Sequence, residues 1–272
     1  GREEEARRAA AFSLYLSILV AGLFSLGIGV FMEPVLELLG AGENTFRYAK
    51  QYASCVIVLG AIPTVLSNVP ANLLRSTGCS REAGFGITMG GILNIALDPL
   101  FMFVLLPDGM EVLGAGIATC LSNCIACAYF FAVLIRLKGR TVITLNPAAC
   151  RPSRESVIAV FAVGIPSAVS TLLFDFDYVI IDRLMVSYHD LALAAIGIVL
   201  KVERLPLNVG IGICQGMLPL VAYNYASGNY RRMHDTVRLA LRLGLLVAGA
   251  SILMYELFAG FLIRFFIGEP QT

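Results

Sequence analysis

Charge is what this sequence has least of. Only 14% of its 272 residues are Asp, Glu, Lys or Arg, against about 25% in a soluble domain, and 58% are hydrophobic. With a mean hydropathy of +0.80, that balance excludes a soluble globular domain and implies a membrane protein. Histidine is nearly absent: His189 and His234 lie at opposite ends of helical segments, too far apart to share a metal, and neither points to hydrolysis. The seven cysteines show no pairing pattern, so no disulfide framework is implied. Cys120, Cys124 and Cys127 have the spacing of an iron-sulfur loop but sit inside an apolar span, where cysteine serves as a small hydrophobe. A cleavable signal is missing too, because the charged run Gly1 to Arg8 leads directly into a long apolar segment. The chain is therefore expected to begin inside a longer gene.

What is present is long apolar runs. Seven segments reach the roughly 20 residues that a spanning helix needs, at 9–36, 47–72, 83–106, 113–136, 156–183, 190–223 and 235–267. Short turns rich in Gly, Pro, Asn and Ser separate them. The longest connection, 138–155, carries Lys138, Arg140, Pro147, Arg151 and Pro152 and reads as a linker between a group of four helices, 1–137, and a group of three, 156–272. Fourteen Lys and Arg residues fall on one side of the alternating segments and four, Arg47, Lys50, Arg183 and Arg264, on the other. By the positive-inside rule the richer side, which includes the linker, is cytoplasmic, and the first and seventh helices run outward.

Two of the apolar segments carry polar stripes. Ser167, Thr171, Asp175, Tyr178 and Asp182 fall within an arc of about 80° on the fifth helix. Lys201, Arg204, Asn208 and Gln215 fall within about 60° on the sixth. Charges in segments this apolar are costly in lipid and mark an ion or substrate pathway by default, the plainer reading being that they pair to hold two helices together. If the stripes face one another, Asp175 meets Lys201. On the third helix Asn94 and Asp98 share a face one turn apart and either line a cavity or bridge helices. Asn68, Asn72 and Arg75, on one face at the cytoplasmic end of the second helix, read as an ordinary polar helix end with a gate as the alternative, and the pairs Gly86/Gly90 and Gly212/Gly216 as close-packing surfaces.

The chain also repeats. Shifted by 227 residues, Leu14 falls on Leu241, the run Leu19 to Gly22 on Leu246 to Gly249, Leu26 on Leu253 and Phe31 on Phe258, so the seventh helix repeats the first. Six helices per period make the repeat parallel, as in transporters built from two six-helix halves.

Several phrases then resemble the multidrug and toxic compound extrusion (MATE) family. Gly164 to Ser167, Ala194 to Ile198 and QGMLPLVAYNYASGN, Gln215 to Asn229, are similar to the second lobe of these transporters. Asn94 to Phe101 and Gly114 to Thr119 are similar to the first. The tail of the longest phrase leans toward the MepA-like bacterial branch. The resemblance implies an all-α membrane protein, a fragment covering about helices 3 to 9 of a 12-helix, two-lobe bundle, in the bacterial plasma membrane. It implies efflux of organic, often cationic, compounds by alternating access, driven by H+ or Na+, with no enzymatic activity, no cofactor, no nucleic-acid partner and a monomeric protein. Asp175 and Asp182 are then the expected ion-coupling residues. Ser167, Thr171, Tyr178, Lys201, Arg204, Asn208, Gln215, Asn94 and Asp98 are expected along the substrate cavity. A flippase for lipid-linked oligosaccharides shares the helix plan and is the alternative. A seven-helix receptor leaves the repeat unexplained.

Overall fold

The computed structural model describes residues 2–39, 41–186 and 190–266, and its described residues are helices, turns and loops without a strand. In order they form α1 (Arg2–Val30), α2 (Met32–Leu38), α3 (Glu43–Ala53), α4 (Ala61–Ser76), α5 (Ser80–Leu100), α6 (Glu111–Arg136), α7 (Arg154–Val186), α8 (Asp190–Ala226) and α9 (Tyr230–Phe266). Among the described residues six helices are long and apolar enough to span a membrane, and the bent pair Thr45–Leu59 with Ala61–Ser76, taken as one span, is a seventh. The seven expected segments are therefore present, the second of them broken.

That break has local causes. α3 runs into a π-helical turn, Ser54–Leu59, and α4 restarts after Gly60 at an angle of 49°. Pro63 brings no N–H to this turn. Beside it, the Ser25 hydroxyl on α1 donates to the Val58 carbonyl at 2.6 Å. Gly60 is required by close approach, since a Cβ there would stand 2.5 Å from the Val56 carbonyl oxygen. Hydropathy is continuous through residues 47–72, so the sequence shows one segment where the backbone makes two. Pro99 precedes a second π-helical turn at the end of α5, Phe101–Leu105.

The chain divides into two compact units, Gly1–Val160 and Phe161–Thr272. In the first, Ala71, Leu74, Ala83, Phe130, Leu134 and Ile143 are buried together. Ile143 belongs to the connection 138–155, and the Tyr15 hydroxyl on α1 donates to the Leu145 carbonyl at 2.6 Å. The first part of that connection is thus folded onto the first helix group. A second small core joins Met32 and Leu36 of α2 to Ala53 of α3.

In the second unit α9 packs along α8. Pro206 removes the N–H that would bond the Val202 carbonyl one turn back, and the Tyr255 hydroxyl of α9 takes its place at 2.8 Å. The turns α4–α5 and α8–α9 close alike: Gly78 and Gly228 have φ of 85° and 71°, and the Cys79 and Asn229 amides reach back to the Leu74 and Asn224 carbonyls at 2.9 and 2.8 Å. Both are glycine-capped helix ends.

The repeat is visible in backbone geometry. α1 ends at Phe31, with φ −105° and ψ 28°, before α2 resumes. α9 kinks at Phe258, with φ −119° and ψ 15°. These are the two phenylalanines that the 227-residue shift superposes.

Candidate transport site

In the first unit a ladder of small residues brings α5 against α6. A Cβ on Gly86 would stand 2.4 Å from the Phe130 ring, and one on Gly90 would stand 3.2 Å from the Ala126 Cβ. At the far end a Cβ on Gly114 would stand 2.7 Å from the Phe101 carbonyl oxygen. Between these contacts the helices are near enough for short polar side chains to meet. The Asn94 amide donates to Asp98 Oδ1 at 3.2 Å and to Thr119 Oγ1 at 3.3 Å. One turn along α6 the Asn123 amide donates to Thr64 Oγ1 on α4 at 2.9 Å, and Asn68 donates to the Thr64 carbonyl at 2.8 Å. The result is a row of oxygens and amides from α4, α5 and α6 inside apolar spans. No ion pair among the described residues involves Asp98.

Asn94 and Asp98 are thus brought together, and Asn94 bridges two helices as one of the two sequence readings has it. Thr119, Thr64 and Asn123 were not singled out as site residues. Helical spacing does put Thr119 with Asn123 on one face of α6 and Thr64 with Asn68 on one face of α4, but a partner 59 positions away along the chain, as between Thr64 and Asn123, is invisible to it. The Arg75 guanidinium bonds Asn72 Oδ1 at 2.8 Å, an ordinary polar helix end.

In the second unit the two stripes meet, among the described residues, at one rung. The Arg204 guanidinium carbon stands 4.3 Å from the centroid of the Tyr178 ring. Ser167 and Thr171 turn their hydroxyls back to the Val163 and Ser167 carbonyls, at 2.9 and 3.1 Å. Asp175 is exposed on α7, and no ion pair among the described residues involves it. The side chains of Asp182 and Lys201 lie outside the described residues, and with them the expected Asp175–Lys201 contact. Asn208 is exposed. Gln215 lines a groove of about 690 Å³ along α8 and α9, with Glu203, Gly210, Cys214, Gly244 and Ala248. Glu203 lies off the basic stripe of α8, yet it lines this groove. Gly212 and Gly216 meet nothing within 4 Å, so the packing expected of this pair is not made within the unit.

Glu33, beyond the end of the span Glu3–Val30, accepts a hydrogen bond from Lys50 Nζ at 2.7 Å. The hydrogen bond from that ammonium, reinforced by its charge, holds the Glu33 carboxyl below its ordinary value.

Helices of spanning length, carboxylates within them and a duplicated helical plan define a polytopic membrane protein of transporter type. The profile of the MatE family matches residues 1–100 and 166–272. The chain belongs to the MatE family, as the phrases around Asn94, Gly114 and Gln215 led one to expect. It is 28% identical over 228 residues to the multidrug export protein MepA of Staphylococcus aureus (strain bovine RF122 / ET3-1), covering 84% of this chain and 49% of that protein. It is 26% identical over 231 residues to the protein of the same name in Staphylococcus saprophyticus, covering 85% and 50%. The chain thus spans about half the length of the curated relatives it matches. Among solved structures, the outward-facing conformation of a multidrug resistance MATE family transporter superposes with a TM-score of 0.84 at 22% identity, covering 98% of this chain and 61% of that one. A transporter of the same superfamily from Pyrococcus furiosus, for which a reversed polarity of the binding pocket is described, gives 0.85 at 22% identity, covering 98% and 61%. The all-α two-lobe fold is that of these transporters. The chain is a multi-pass protein of the bacterial plasma membrane, and its family consists of transporters, not enzymes.

Proposed function

We propose that this chain belongs to a secondary active efflux transporter that exchanges H+ or Na+ for organic, often cationic, compounds by alternating access. The observation that carries the coupling is the Asp98 cluster. A carboxylate inside a span is expensive unless it is protonated or neutralised. Asp98 has a neutral amide and, through it, a hydroxyl as neighbours, with no basic side chain paired to it among the described residues. Such a group is stable when it binds a proton or a hard cation, whose preferred ligands are oxygens of the kind Asp98 and Thr119 present. Asp175 offers a second carboxylate in the other unit, on the face that also presents Tyr178. There a cationic substrate and a coupling ion compete for one negative charge, which links release of one to entry of the other.

The test uses the full-length protein in vesicles loaded with ethidium, under imposed proton or sodium gradients. Gradient-driven efflux is expected in the wild type. Asp98→Asn and Asp175→Asn should each express normally and lose at least about tenfold of that efflux, the scale of an interaction worth about 1.4 kcal/mol. Dye movement indifferent to both gradients would reject coupled antiport. Wild-type rates in both variants would remove these carboxylates from the mechanism.

A further inference from the structure

Arg204 is a permanent cation in an apolar span, Val202–Ala226. A guanidinium in that setting ordinarily finds a carboxylate. None of the ion pairs among the described residues includes it. Its described partner is the face of the Tyr178 ring, 4.3 Å away on α7. Asp175 stands three residues before Tyr178, on the same face of that helix. An aromatic face beside a carboxylate is the chemistry that recognises delocalised or quaternary organic cations. In this structure the position is filled by a cation that the protein itself supplies. Two cations cannot share one ring face, so a bound organic cation and the Arg204 guanidinium are alternatives.

We infer that Arg204 is a tethered competitor, occupying at rest the Tyr178 face that a delocalised organic cation takes during transport and leaving it when that cation arrives. The inference rests on the reading of the protein as an exporter of such compounds. It adds two features to that reading. Affinity at this subsite is held down by an internal ligand, which favours release. Occupancy also changes the tie between α7 and α8, because the contact that the cation replaces joins those two helices.

The experiment measures equilibrium binding of tetraphenylphosphonium to the purified full-length protein and its variants, each first checked for monodisperse elution. Arg204→Gln should bind about 5-fold more tightly, within the roughly 2- to 30-fold that a cation–π contact is worth. Tyr178→Phe, which keeps the ring, should stay within about 2-fold of wild type, and Tyr178→Leu should weaken binding by about 5-fold. In the double variant Arg204→Gln with Tyr178→Leu the gain should vanish, because the competitor and the surface it covers act as one unit. Unchanged or weaker binding in Arg204→Gln, or a gain that survives the loss of the ring, would overturn the proposal. If Arg204→Gln does not fold, Arg204→Lys decides, with about 2-fold tighter binding expected from a more strongly hydrated ammonium and no change refuting it. A wild-type protein that binds no tetraphenylphosphonium and moves no ethidium would instead sink the exporter reading itself.

Discussion

Tyr255 sets its hydroxyl against the carbonyl that Pro206 strands, and in lipid no water is at hand to do the same work. Tyr255→Phe keeps the ring and deletes only that donor. It should destabilise the full-length protein by about 0.5–1.5 kcal/mol, the range of interhelical hydrogen bonds in membranes, read by unfolding in mixed micelles. Glu33 and Lys50 make the complementary case in a water-exposed setting. The folded pKa of Glu33 lies below its ordinary value of 4.5, so the unfolded chain takes up the proton first. The stabilisation from this pair is therefore complete above that value and lost as the pH falls through the lower, folded one. Amide protection in α2 and α3, taken relative to the intrinsic exchange rate at each pH, should fall on such acidification in the wild type and stay level in Glu33→Gln. At this scale the sequence showed which residues share a helix face, as with Asn94 and Asp98 or Asp175 and Tyr178. It could not show which rungs of two faces meet. Arg204 finds Tyr178, and Asn94 finds Thr119, only because of where the helices pack.

Single elements owe their shape to a few atoms of clearance. Gly114 stands against the Phe101 carbonyl, and Gly114→Ala must push α6 off the end of α5. Overpacking of this kind costs about 1–3 kcal/mol. Because the displaced stretch leads to Thr119, ethidium efflux should fall together with the melting temperature. Gly212→Ala is the contrasting change, with open space around the glycine. There the gain in helix propensity is opposed by no local contact, so stability should hold or rise by up to about 1 kcal/mol. The two small-residue pairs look the same in the sequence, because spacing reports a face and not what lies opposite it. The break at Gly60 was hidden for a related reason. Leu59, Ala61 and Ile62 keep the hydropathy high, and the signals that matter there are a missing N–H at Pro63 and a missing Cβ at Gly60.

For the whole molecule, the asymmetry of Lys and Arg makes a topological prediction. In a cysteine-free background of the full-length protein, an impermeant thiol reagent added outside intact cells should label Asp108→Cys and leave Ser80→Cys unlabelled. The opposite pattern would invert every helix. The plan itself was readable from composition, because a span must be apolar over its whole length and the turns between spans must not be. Seven segments and their alternation follow from that one demand of the bilayer. The site did not follow in the same way. Its polar row draws on α4, α5 and α6 at once, and the polar face of each helix does not say which neighbour it meets.

The shared backbone break at Phe31 and Phe258 bears on descent. When a gene segment doubles, both copies inherit their irregularities along with their regular turns. Leucine, valine and isoleucine can then replace one another at small cost wherever lipid or a yielding neighbour is the counterpart, and such matches fade with time. A break cannot drift in this way, since every residue beyond it would be re-aimed. Irregular points are therefore the durable landmarks of a duplication. Two halves of such a protein are aligned more securely from their broken turns outward than from their apolar runs inward.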